Sequence, residues 1–135
     1  MVDHGMIGKR VIDTEQIELG VVSKVEDDYI EVSEGLFDEL LLDKSYIGKE
    51  EEKEVILRDK IHILLSDMEV VGSDGERIGI VKETVAAGDV LDTLIIETEG
   101  NKLLFITLEE IYKIDEKMTL DIDLKFLKED GRLEE

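Results

Sequence analysis

The residues with the clearest potential for chemistry lie in one stretch, VVGSDGERIGIVKE, residues 70–83. Gly72 and Gly75 flank Ser73 and Asp74, acids surround them, and Gly79 follows. Such a loop could cradle a phosphate on backbone N–H groups, hold a cation on carboxylates, or turn the chain between two strands. It lacks the GxxxxGK[ST] spacing of a phosphate loop and the alternating Asp ligands of a calcium loop. Asp74-Gly75 between two apolar runs is instead a hairpin signal, because both residues tolerate positive φ.

Other reactive residue types are sparse. His4 and His62 are the two histidines, and there is no Cys. A usual transition-metal ligand set therefore cannot be assembled from His and Cys. His62 sits between Ile61 and Ile63 and is expected on a half-exposed strand. Serines 23, 33, 45, 66 and 73 have neither GxSxG nor SxxK context. Asp27-Asp28 and Glu50-Glu51-Glu52 are acidic runs of the kind that normally lie in solvated loops. No catalytic, cofactor-binding or metal-binding residue is assigned, and the expectation is a protein that is not an enzyme.

Composition narrows the partners. The chain has 135 residues, 39% of them charged, with a net charge of −20. Nucleic-acid affinity rests largely on Lys and Arg displacing counterions, so direct nucleic-acid binding is not expected. Anionic membrane surfaces would repel the chain as well. No apolar run reaches the length of a membrane span, and the N-terminus lacks the apolar core of a signal peptide. A cytoplasmic protein is the expectation, with other proteins, basic ones in particular, as partners. Abundant Glu, Lys and Ile with few side-chain amides resemble heat-adapted compositions.

The elements that must position these residues are mostly strands, because short Val-, Ile- and Leu-rich runs are broken by turn residues. Strands are expected at residues 9–13, 19–25, 29–33, 39–42, 54–57 and 60–65. A helical turn is expected at 43–47 and a charged loop at 48–53. The second half gives strands at 68–71, 77–85, 93–97, 103–106 and 118–124. A helical turn is expected at 107–111, with Thr107 as its N-cap.

The two halves repeat. VIDTEQIELGVVSK, residues 11–24, aligns without a gap on residues 70–83, at an offset of 59 (70 − 11). Val11 matches Val70, Gly20 matches Gly79, and Val22 matches Val81. Ile47 then matches Ile111 at an offset of 64 (111 − 47), the difference being absorbed by residues 84–92. Asp13 and Gln16 stand where Gly72 and Gly75 would be, so no ligand role for those glycines is shared. Gly20 and Gly79 are read as a bulge or close backbone contact inside a strand. The domains are assigned as 1–64 and 65–127, with 128–135 as a charged, mobile tail.

Asp74-Gly75-Glu76-Arg77-Ile78-Gly79-Ile80-Val81, followed by DTLIIETEG and LLFITLEEIYKID, resembles the PRC-barrel family. Leu19-Gly20-Val21-Val22 marks a more divergent first copy without the Asp-Gly turn. Both copies lack the proline often found before the helical turn. The resemblance implies a mainly β fold of two tandem small PRC-like barrels, packed as a pseudo-dimer with short helical turns. It implies no catalytic residues and no cofactor. Family members are typically protein-interaction modules. One branch is fused to a ribosome-maturation factor, and stand-alone archaeal members are associated with cell division. The expected function is therefore a non-enzymatic adaptor, in archaeal cell division or assembly. The alternative is an RNA-processing or ribosome-maturation accessory factor that binds a basic ribosomal protein.

Exposed apolar residues are the candidate contacts: Leu36 and Phe37 at a hairpin tip, and Phe126 and Leu127 near the C-terminus. The competing reading of Phe37 is that its ring folds back onto its own barrel, since a large ring is costly to leave in water. A free edge strand is a third route, by strand addition from another chain. Homo-oligomerisation is compatible with these readings. A domain of about 60 residues is marginal alone, so two copies covering each other's open faces should unfold together.

Overall fold

The computed structural model describes residues 4–88 and 90–132. A 3₁₀ turn at His4–Met6 leads into β1 (Arg10–Ile12), β2 (Glu18–Val25), β3 (Tyr29–Ser33) and β4 (Glu39–Asp43). A 3₁₀ turn at Lys44–Tyr46 leads into β5 (Ile47–Glu50), β6 (Glu54–Leu57) and helix α1 (Ile61–Leu65). The second half repeats this order with β7 (Glu69–Val71), β8 (Arg77–Ala87), β9 (Val90–Thr98) and β10 (Leu103–Thr107). It continues through a 3₁₀ turn at Leu108–Glu110, then β11 (Ile111–Ile114), β12 (Met118–Leu120) and helix α2 (Leu124–Glu129).

Period-two patterning places the long strands. In β3 and β4 every second residue is buried, and in β10 Leu104 and Ile106 point inward while their neighbours face out. That alternation is what a strand with one buried face requires.

The strands form one sheet in the order β10-β9-β8-β7-β12-β11-β4-β3-β2-β1-β6-β5. Each six-stranded, barrel-like unit has the same wiring. Its first strand pairs antiparallel with the second and parallel with the sixth. The internal repeat extends to register. Val11 stands opposite Gly20 as Val70 stands opposite Gly79, and each pair is followed by a bulge, between Val11 and Ile12 and between Val70 and Val71. Second bulges fall between Val22 and Lys24 and between Val81 and Glu83. Bulges sharpen twist and bend a strand, which is what curling a short sheet needs.

The copies meet where β11 runs parallel to β4, Leu41 opposite Lys113 and Leu42 opposite Ile114. Tyr46 sends its hydroxyl to the Asp115 carbonyl across this joint, and the Lys113 ammonium lies 5.6 Å from the Tyr29 ring centre. One apolar cluster runs through both copies, from Val11, Leu19 and Phe37 to Leu94, Leu104 and Leu120. The fold is therefore mainly β, with two tandem barrel-like units packed as a pseudo-dimer and short helical elements at the corners.

Three local expectations need correction. Within the expected strand 60–65, Ile61–Leu65 form helix α1, because the buried Asp13 carboxylate accepts the Ile61 N–H at 2.9 Å and Ile61 and Leu65 share one buried face. A short apolar run does not distinguish helix from strand by period alone. Residues 47–50, placed in a helical turn and loop, form β5 against β6. Residues 111–114 form β11. Helix α2 runs through residues 127 and 128, and Arg132 is hydrogen-bonded to Glu110 and to the Phe105 carbonyl; residues 133–135 lie outside the described residues. No helix among the described residues is long and apolar enough to cross a membrane.

Candidate protein-interaction surface

The 70–83 loop is a hairpin in which four backbone donors are engaged within the protein. Gly72 N–H donates to the Glu76 carbonyl at 2.9 Å, Gly75 N–H to the Gly72 carbonyl at 2.9 Å, and Ser73 N–H to the Ile122 carbonyl at 2.9 Å. Asp74 accepts the Glu76 N–H at 3.1 Å, an Asx turn, and Gly75 has φ +86°. A phosphate cradle needs several free backbone donors, and these four are engaged. Gly72 makes room for the segment before α2, since a Cβ there would lie 3.0 Å from the Asp123 Cα.

Gly20 and Gly79 are required by close backbone approach. A Cβ on Gly79 would stand 2.2 Å from the Glu97 carbonyl oxygen, and one on Gly20 2.4 Å from that of Ser33. Both positions are strand sites that accept no side chain, as the repeat implies.

Two of the apolar candidates are corrected. Phe37 is 1% exposed and belongs to the core, so its ring caps its own barrel. Leu36 packs half-buried against the same core. In α2 successive residues turn by about 100°, so Leu127 is buried while Phe126 is 46% exposed. Asp123 fixes that phase by accepting the Phe126 N–H at 2.7 Å. Phe126 is the one aromatic candidate left at the surface.

The sequence reading missed the strongest exposed residues. Leu103 is 48% exposed and Phe105 57% exposed, both on the outer face of β10, and Tyr112 on β11 is half exposed. Their signal lay in the repeat: Phe105 occupies the place of Leu41, and LLFIT puts large apolar residues on both faces of its strand.

A tight polar group lies beside β10. Arg132 donates to both carboxylate oxygens of Glu110, one of them at 2.9 Å, and to the Phe105 carbonyl at 2.8 Å. Glu110 also accepts the Thr107 N–H at 3.0 Å. Burial alone would raise the Glu110 carboxyl, but the Arg132 and Thr107 hydrogen bonds outweigh it and hold it below its ordinary value. Nearby Asp121 is pushed up by burial and by the Glu110 charge.

The acidic runs stay dispersed. Asp27, Asp28, Asp43 and Asp115 line a shallow hollow together with Lys44 and Lys113. Among the described residues, no group of three or more His, Asp or Glu side chains is arranged to hold a metal. His62 lies on α1 with Nδ1 3.7 Å from a Glu15 oxygen.

The arrangement defines a class: an acidic, tandem β-barrel-like protein with exposed aromatic side chains, of which Tyr112 lines an open hollow with Lys24, Glu26, Tyr29, Glu31 and Glu39. No protein-family model matches the chain, and no curated protein matches it. Among solved structures, it is similar to a protein described as a 16S ribosomal RNA processing protein, RimM, from Pseudomonas aeruginosa. That likeness has 15% identity and a TM-score of 0.40, covering 48% of this chain and 44% of that one. The match thus spans less than half the length of that structure.

Proposed function

We propose that the protein is a non-enzymatic adaptor of PRC-barrel type that binds other proteins. The carrying observation is the placement of its aromatic residues. The chain has three Phe and three Tyr, and Phe105, Tyr112 and Phe126 are each about half exposed. A soluble chain has little reason to leave large rings in water unless a partner covers them, and aromatic side chains are enriched at interfaces. Net charge selects the partner: a basic protein is attracted, whereas nucleic acid is repelled. Cell division or assembly as the process rests on the family resemblance alone.

The test is affinity purification of the full chain at physiological salt, beside a variant with Phe105, Tyr112 and Phe126 changed to Ser. Specific retention of a basic protein by the native chain and its loss in the variant are expected. Equal retention by both would remove the reading. The second reading, a ribosome-maturation accessory factor, is favoured by the same acidity, which suits a basic ribosomal protein. Co-sedimentation with ribosomal precursors distinguishes it.

A further inference from the structure

The repeat relates two joints, of which the chain makes one. Strands β4 and β10 correspond at the offset of 64 (103 − 39), as do β5 and β11. β4 is covered by β11 in parallel pairing. The counterpart would lay β5 on β10, with Lys49 opposite Phe105. It is absent: β5 and β10 are the two ends of the sheet. Leu41 is half-buried beside its joint, whereas its counterpart Phe105 is among the most exposed apolar residues.

The free edge has identifiable donors and acceptors. The Phe105 carbonyl takes Arg132, and the Thr107 N–H goes to Glu110. The N–H and C=O of one strand residue point to the same side, so the odd-numbered residues of β10 turn theirs off the sheet. Leu103 presents both groups there and Phe105 its N–H, with no strand beside them among the described residues. Unpaired edges of this kind are templates for strand addition.

We infer that the β10 edge accepts an extended, basic segment of a partner protein, with alternating apolar residues, as an added parallel strand. This deepens the adaptor reading above and rests on it. β11 on β4 is the chain's own example, and its sequence Ile111-Tyr112-Lys113-Ile114 shows the pattern: apolar residues with a lysine at the position facing Leu41. Charge sets the occupant. Glu97 stands opposite Leu103, Glu99 lies in the adjoining turn, and Glu109 and Glu110 follow the strand. Lys82 pairs with Glu97, Arg77 with Glu99 and Arg132 with Glu110, so a basic occupant is favoured by Glu109, unpaired among the described residues, and by the chain's net charge of −20 rather than by these paired acids. A second copy is disfavoured, because its matching strand β5 leads into Glu50-Glu51-Glu52 and the whole chain carries −20.

The experiment titrates the isotope-labelled full chain with a capped synthetic peptide of alternating isoleucine and lysine, followed by amide NMR. Saturable shifts at Leu103, Phe105 and the β9–β10 turn are expected. Phe105→Pro removes the outward N–H but leaves the ladder to β9 intact, and should weaken binding at least about tenfold. Phe105→Lys, which keeps the backbone donor, should weaken it similarly, because like charges then face each other. Melting curves establish that each variant is folded. A peptide alternating isoleucine and glutamate should bind at least about tenfold more weakly. The inference is overturned by equal binding of the acidic peptide, by shifts remote from β10, or by unchanged affinity in both variants. Self-association of the native chain that Phe105→Pro abolishes also overturns it, by giving the edge to a second copy. If native chain and Phe105→Pro retain the same cellular partner equally, the adaptor reading stands and the β10 assignment fails.

Discussion

The carboxylate of Asp13, fully buried, accepts the backbone N–H of Ile61 at 2.9 Å, across 48 residues of chain. Its other oxygen accepts the N–H groups of Glu15 and Ile17, each at 2.9 Å. One side chain thus shapes the β1–β2 turn and starts α1. The second copy divides these tasks. Gly72 stands in the place of Asp13, Asp74 shapes the turn, and Asp123 caps α2.

Asp13→Ala should therefore be among the most damaging single changes in the first copy. It leaves one buried and two part-buried N–H groups without their acceptor, at a cost on the order of 3 kcal/mol. Asp13→Asn keeps one acceptor oxygen and should cost less. Chemical denaturation of the three proteins measures both. An Asp13→Ala midpoint equal to the native one would refute the role.

Gly79→Ala should destabilise strongly, because the added Cβ would stand 2.2 Å from the Glu97 carbonyl oxygen and backbone must shift. A loss of at least about 2 kcal/mol is expected, within the range for overpacked sites. Gly20→Ala should behave alike, with 2.4 Å to Ser33. Thermal melts test the pair, and a harmless Gly79→Val would end the close-approach account.

Unfolding should be one cooperative transition. The apolar cluster is continuous through both copies, and β4–β11 pairing ties the sheets together. Tyr46→Phe removes the hydroxyl bond to the Asp115 carbonyl. It should lower stability by about 1 kcal/mol without splitting the transition. Calorimetry decides this, since two separated heat-absorption peaks would mean independent copies.

The repeat and the hairpin strands were legible because period two and the Asp-Gly turn are local signals. Residues 47–50, IGKE, hid a strand because only Ile47 is apolar, and its pairing with β6 is a tertiary fact. IHILL hid a helix because four apolar residues around His62 fit either period, and the deciding Asp13 lies far off in sequence. Phe37 and Phe105 exchange roles for a related reason. A hairpin tip can fold inward over a core, whereas residue 105 faces outward by register on a strand whose edge no strand covers among the described residues. Sheet order, not composition, sets that exposure.

The anchoring of the C-terminal segment should depend on acid. Glu110 has its carboxyl held below the ordinary glutamate value in the folded chain by Arg132 and Thr107. A group depressed by folding stabilises the fold above its unfolded value and loses that contribution as pH falls through the folded one. The Arg132–Glu110 contact should therefore hold at neutral pH and be lost in acid only below the ordinary glutamate range, as the pH falls through the depressed folded value. Asp121, whose carboxyl is raised by burial and by the Glu110 charge, favours the proton there and works in the opposite sense. Other carboxylates titrate in the same range, so the signal is the difference between the native chain and Arg132→Ala. Amide exchange in α2 should be slower in the native chain at pH 7, and the two rates should converge as the pH drops. Equal rates at pH 7 would mean that Leu127 burial alone holds the helix and that the ion pair adds nothing measurable.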